Sequence, residues 1–295
     1  MRLVFVHGIN QQNKDPDTLK KTWIEDLEVG LGAPGALAGA EIVMPFYGDV
    51  LFDLAGTKPD GAIAQGADAA ETNDLSQFLS GGLDELAVAE GISSADIAAE
   101  QQSAASDTGV GVAVEQGFPM SRRINAVVSL LEKISPLRGD LALRLLDQAH
   151  AYLKRPHVGP AVDEVVRPAL GSGTTVVVSH SLGTIVTFKL LRAMAVAGHA
   201  SDVPLYITLG SPLTLSTVQR ALGPSFQTPA GVGQWINVRD PDDSIALNRG
   251  LGSPLFSTSV ENIGDFENPG ADAHAIPGYL QCRPVAQAVS DALGL

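Results

Sequence analysis

The sequence predicts an α/β chain, a mostly parallel sheet flanked by helices and interrupted by a long helical insertion. Three observations predict it. Short apolar runs at Leu3 to Val6, Glu41 to Phe46, Thr174 to Val178, Leu205 to Leu209 and Gln234 to Val238 alternate with stretches of helical apolar spacing. Thr174 to Leu191 passes from a valine run through a small-residue corner, Ser179 to Gly183, straight into a helical pattern. Between Asp53 and Arg155 the strand pattern pauses for roughly 100 residues, longer than a structureless loop in a compact domain.

In chain order, Leu3 to Val6 is a buried-type strand that runs into His7-Gly8-Ile9-Asn10. Asp15-Pro16-Asp17 then marks a helix start, with Trp23, Leu27 and Leu31 on one face and Gly30 to Gly35 closing it. Glu41 to Phe46 is the next strand, so strand, helix, strand implies a right-handed crossover between parallel strands. From about Asp53 to Ala105 the composition shifts to Ala, Gly, Asp, Glu and Ser; Leu79, Leu83 and Leu86 suggest one helix, and Ser93 to Asp96 a cap for another. Thr108 to Gly117 reads as a loop. Helical patterns follow at Ile124 to Ile134 and Leu141 to Leu153, divided by Pro136 and Gly139. The residues 53–155 are therefore expected to form an inserted, mostly helical cap within one large domain, 1–295.

A helix at Val162 to Leu170 leads into the Thr174 strand. After the corner, Ile185, Phe188 and Leu191 recur at helical spacing. Leu205 to Leu209 ends at Gly210-Ser211-Pro212, Leu215 to Leu222 is a short helix, and Gln234 to Val238 ends at Arg239-Asp240-Pro241-Asp242-Asp243. Ser259 to Ile263 is a last short strand, the loop Asp265 to Asp272 leads to His274, and Val285 to Leu293 is the final helix.

The charge balance narrows the partners. Lys+Arg of 19 against Asp+Glu of 33 gives a net charge of -14, which repels phosphate backbones and anionic membrane surfaces, so no nucleic acid is expected. A single cysteine, Cys282, excludes an internal disulfide and a cysteine-cluster metal site, and agrees with a reducing compartment. The apolar run at the start is too short for a secretory segment, and no run approaches the ~20 residues of a transmembrane span. The expected location is cytoplasmic, with signal-free export left open. No phosphate-binding glycine loop and no metal-ligand spacing is present, so no cofactor and no metal are expected.

Ser181 carries the chemistry in this reading. Strand, tight turn and helix meeting at a serine form a nucleophile elbow, which lifts a hydroxyl clear of the sheet and aims backbone N–H groups at it. Small residues are needed on both sides, and Ser179 and Gly183 supply them. Ile9 and Leu182 are the candidate oxyanion-hole donors through their backbone N–H groups. An acid and a histidine should follow in the order serine, acid, histidine. Asp243, before the turn Ser244-Ile245-Ala246, is the first candidate acid and Asp240 the alternative. His150 and His157 precede Ser181, His180 adjoins it, and His199 ends the elbow helix; His274 alone has the expected order and setting for a general base. His7 is read as a histidine hydrogen-bonded beneath the site.

Val4-Phe5-Val6-His7-Gly8-Ile9, Ser179-His180-Ser181-Leu182-Gly183, Thr208-Leu209-Gly210-Ser211-Pro212, Asp243 and His274 together resemble the α/β-hydrolase superfamily. The elbow and the Leu-Gly-Ser-Pro-Leu stretch look most like its lipase and serine-esterase branch. The resemblance spans Met1 to Phe46 and Pro160 to Leu295. Ser179 departs from the usual glycine, and with Leu3 to Val6 read as the oxyanion strand the expected fold has a truncated N-terminal strand set. The resemblance implies a carboxylic ester hydrolase with a catalytic triad and an acyl-serine intermediate, acting on a small-molecule or lipid acyl ester with an apolar chain. A thioesterase, amidase or acyltransferase with the same triad, or a non-catalytic binding protein of the same fold, is the alternative, and the oligomeric state is left open.

Overall fold

The computed structural model describes residues 1–55, 69–106, 121–171, 173–252, 254–256, 259–270 and 272–295. The loop expected at Thr108 to Gly117 lies outside them. The chain opens with β1 (Arg2–Val6), α1 (Pro16–Leu31) and β2 (Glu41–Val43). Next come α2 (Gly48–Ala55), α3 (Ala69–Ala89), α4 (Ser94–Ser106), α5 (Arg122–Ile134), α6 (Arg138–Lys154) and α7 (Val158–Leu170), with no strand among their described residues. β3 (Thr175–His180), α8 (Leu182–Val196), β4 (Val203–Leu209), α9 (Ser216–Leu222), β5 (Val232–Val238), β6 (Val260–Ile263), α10 (Ile276–Gln281) and α11 (Arg283–Leu293) complete it.

Local chemistry accounts for the element ends. The Asp15 carboxylate accepts the Thr18 N–H at 2.8 Å, Pro16 opens the first turn, and Gly32 ends α1 in the left-handed conformation at φ 65°. α4 has a capping box, Asp96 N–H donating to Ser93 Oγ at 3.2 Å and Ser93 N–H to Asp96 Oδ2 at 2.8 Å. The Pro136 break expected before the next helix is present, with Leu137 left-handed at φ 68°, but Gly139 lies inside α6. A methyl group there would sit 2.4 Å from Val128 O, so this glycine serves the α5/α6 crossing.

All six described strands are parallel, in the order β2-β1-β3-β4-β5-β6. Parallel strands are covered on both faces, and alternate residues divide between two cores. Val4, Val6, Val177, Tyr206 and Trp235 face the core shared with α2 to α8. Leu3, Phe5, Val176, Val178, Leu205 and Ile207 face the core shared with α1 and α11 through Trp23, Leu27, Val285 and Val289. The described residues of α3 to α6 have no separate core: Leu79, Leu83, Leu143 and Leu146 belong to the same cluster as Leu182 and Val177. The boundary expected at Asp53 falls within α2, whose Leu51 and Ala55 are buried, so the helical segment begins by Gly48.

The strand order places the site. From β1 the chain moves outward to β2, then returns to the other side of β1 for β3. The carboxyl ends of β1 and β3 therefore flank a switch point, the place where open α/β sheets leave a crevice for ligands. Gly8 and Ser181 follow directly on those two ends. No described helix is long and apolar enough to cross a membrane.

Candidate active site

Every residue of β3 is buried, and the chain leaves the sheet at Ser181, whose backbone angles are φ 54° and ψ -127°. A residue with a side chain held in such a region costs about 1–3 kcal/mol and persists only where its surroundings determine it. Two bonds do so here. Ser181 N–H donates to Leu209 O on β4 at 3.0 Å, and the Thr184 hydroxyl donates to Ser181 O at 2.7 Å. α8 begins on the next residue, so the Ser181 hydroxyl stands beside the unsatisfied N–H groups of a helix N-terminus.

Close approach of β1 explains the glycines. A methyl group on Gly183 would lie 2.4 Å from both Val6 O and His7 O, and one on Gly8 would lie 2.7 Å from Ser181 Cβ. The elbow is thus pressed against the end of β1. Among the described residues neither the Ile9 N–H nor the Leu182 N–H has an acceptor; Leu182 follows Ser181 directly, and Ile9 follows Gly8.

Three side chains from separate loops converge there. Ser181 Oγ lies 2.9 Å from His274 Nε2, and His274 Nδ1 lies 2.8 Å from Asp243 Oδ2. Ser181 is 1%, Asp243 1% and His274 7% exposed, so the chain of bonds works in a low dielectric. Burial is the largest influence on both titratable groups and opposes charge on each. Their mutual attraction outweighs it: Asp243 is held below the usual carboxylate range, and the imidazole of His274 is raised above its ordinary value.

Each partner is fixed by its own loop. Asp243 Oδ1 accepts the Ile245 N–H at 3.0 Å, capping the turn Ser244–Ala246, and Tyr279 donates its hydroxyl to Oδ2 at 2.7 Å. His274 N–H donates to Asp272 Oδ1 at 3.0 Å, and Asn268 Nδ2 donates to Ala275 O at 2.7 Å. Beneath the imidazole, His180 Nε2 donates to His274 O at 2.9 Å, with the two rings 4.8 Å apart. Burial drives the His180 pKa down to about 3, so it is a neutral support. Gly210, at φ +52°, closes the floor; a methyl group on it would lie 2.8 Å from Asp243 Oδ2 and 3.1 Å from His274 Nδ1.

Asp240, the alternative acid, is not brought to His274. Its Oδ1 accepts the Asp242 N–H at 2.7 Å and its Oδ2 accepts the Asn268 N–H, so both oxygens tie the β5 turn to the loop carrying His274. Ser179 stays inside β3, donating to Ile207 O at 3.2 Å. His7 accepts the Tyr47 N–H on Nε2 at 3.2 Å and donates from Nδ1 to Gly8 O at 2.9 Å, and burial lowers its pKa to about 4. Both ring nitrogens are committed to holding the loop. Sequence reasoning did not find Tyr279, nor the supporting contacts of His180, Asn268 and Gly210. Gly210, next to the Ser-Pro that ends β4, was the one with a local signal. No described group of His, Cys, Asp and Glu side chains could hold a metal ion.

No protein-family model matches the chain, and no curated protein matches it.

Proposed function

We propose that the chain is a serine hydrolase of the α/β-hydrolase type, cleaving carboxylic esters with an apolar acyl group. The observation that carries this reading is the unbroken hydrogen-bond chain Ser181–His274–Asp243 beneath a strained strand-to-helix corner. In the proposed cycle Ser181 Oγ attacks the ester carbonyl as its proton passes to His274 Nε2. The oxyanion that forms is met by the Ile9 and Leu182 N–H groups. Collapse expels the alcohol with the proton from His274 and leaves an acyl-serine; water, deprotonated by the same nitrogen, releases the acid. Asp243 holds the imidazole tautomer throughout.

The apolar preference follows from the esterase resemblance, and the core that begins beside Ser181 is apolar. Ile9, Leu182, Leu213, Ile245 and Leu247 are all buried in the core that takes in the inserted helices. Ser181→Ala is expected to lower kcat by about four to six orders of magnitude on a chromogenic acyl ester, since a unit of coupled groups fails when one is removed. Activity unchanged in that variant, or no hydrolysis at any acyl chain length in the parent, sinks the reading.

The reaction should also fail in acid. His274 must be neutral to accept a proton, and its pKa is raised above the ordinary ~6.5. The pH profile of kcat/KM should therefore be flat at alkaline pH and fall about tenfold per unit below that raised pKa.

A further inference from the structure

Tyr279 is wholly buried on α10, its ring 5.6 Å from that of Phe266 and 5.9 Å from that of His180. Its hydroxyl oxygen makes two contacts, with Asp240 N at 3.0 Å and with Asp243 Oδ2 at 2.7 Å. A backbone N–H can only donate, so the lone pairs of Tyr279 receive the Asp240 proton. The one phenolic proton must then point at Asp243. Oδ2 is thereby an acceptor, as the ionised carboxylate requires, and it accepts from His274 Nδ1 as well, at 2.8 Å. Nδ1 carries the imidazole proton, which leaves the Nε2 lone pair facing the Ser181 hydroxyl at 2.9 Å. The Asp240 amide sets the direction of the phenolic proton, and the ionised Asp243 sets that of the imidazole proton.

We infer that Tyr279 is a positioning residue that sets the basicity of His274 by sharing the Asp243 oxygen to which the imidazole is bound; the inference rests on the serine-hydrolase reading of the site. Two donors on one oxygen divide its charge. A tyrosine hydroxyl drawing on Oδ2 weakens the hold of the carboxylate on the imidazolium, so the pKa of His274 is raised less than Asp243 alone would raise it. The remaining groups around the pair do not take over this role. Asp243 Oδ1 is committed to Ile245 N–H, Asp272 bonds the His274 backbone while its charge adds to the rise of the imidazole, Asp240 is committed to Asp242 and Asn268, and His180 is neutral against His274 O. The structural alternative, a tyrosine that merely fills space, leaves His274's titration untouched.

Tyr279→Phe keeps the ring in its packing and removes the donor. The expected result is an upward shift of the acid limb of kcat/KM by roughly half to one pH unit, with the alkaline plateau and KM little changed. Near pH 6 this reads as a three- to tenfold loss of activity, by about the same arithmetic. The imidazole Cε1–H of His274, titrated by NMR in the full chain, should show the same upward shift whether or not any ester is hydrolysed. If neither protein hydrolyses an ester while that NMR shift is present, the positioning role stands and the hydrolase reading falls. Site-specific replacement of Tyr279 by a fluorotyrosine, a stronger donor, should shift His274 the other way, and it retains the hydroxyl if Tyr279→Phe fails to fold. A His274 titration unmoved by Tyr279→Phe in a folded chain, or unmoved by the fluorotyrosine, overturns the inference.

Discussion

Asp243→Asn is expected to lower kcat by about four orders of magnitude while leaving the fold intact, and Asp240→Asn by no more than about tenfold. Both acids follow β5 in the same turn, yet they serve different loops. Asp243 Oδ2 is the acceptor for His274 Nδ1, and an amide there either presents its own N–H to the ring or holds it as a weaker acceptor. Where the amide N–H faces the ring, the imidazole proton sits on Nε2, toward Ser181, and that nitrogen can no longer accept one. Asp240 accepts from two backbone N–H groups, and asparagine retains one of those acceptors. The check is kcat of both variants at a pH above the His274 pKa, beside thermal unfolding of each. Equal losses would mean that the acid works only as a loop anchor.

Gly183→Ala should be severely damaging at the corner itself. At 183 it would lie 2.4 Å from Val6 O and His7 O, backbone atoms of β1 that can yield only by moving the strand. A destabilisation above about 3 kcal/mol is expected, in the range of severe overpacking. The strand it displaces leads into Gly8 and Ile9, so surviving protein should also be slow. Gly39→Ala is the control, since nothing lies within 4 Å of a methyl group there, and it should fall within about 0.5 kcal/mol of the parent. Denaturant midpoints for the pair separate the two expectations.

Much of this arrangement was legible in the sequence, for identifiable reasons. Buried parallel strands require continuous apolar runs, so β1, β3, β4 and β5 announce themselves, and a serine between Ser179 and Gly183 marks the corner. His274 was read from its place in chain order and its loop setting after the last strand. What stayed hidden was set by contacts across space. Asp240 and Asp243 are three residues apart in one turn, and only the positions of Asn268, Ile245 and Tyr279 decide which carboxylate meets the imidazole. Tyr279 reaches Asp243 over a separation of 36 residues, which no local pattern encodes. The start of α6 is capped by Glu132 of α5, whose carboxylate accepts the Leu137 and Asp140 N–H groups at 2.6 and 2.7 Å, and so Gly139 could be mistaken for a breaker. α2 was overlooked because its Gly-Asp start resembles a loop, while its burial comes from packing against α6 and α7.

In the proposed cycle Ser181 is a nucleophile activated by His274. Labelling of the full chain with a fluorophosphonate, read by peptide mass spectrometry, tests it most directly. One adduct is expected, on Ser181, lost in Ser181→Ala and slowed by at least about a hundredfold in His274→Ala. A folded parent chain that takes no label on Ser181, or one in which His274→Ala labels at the parent rate, would contradict it.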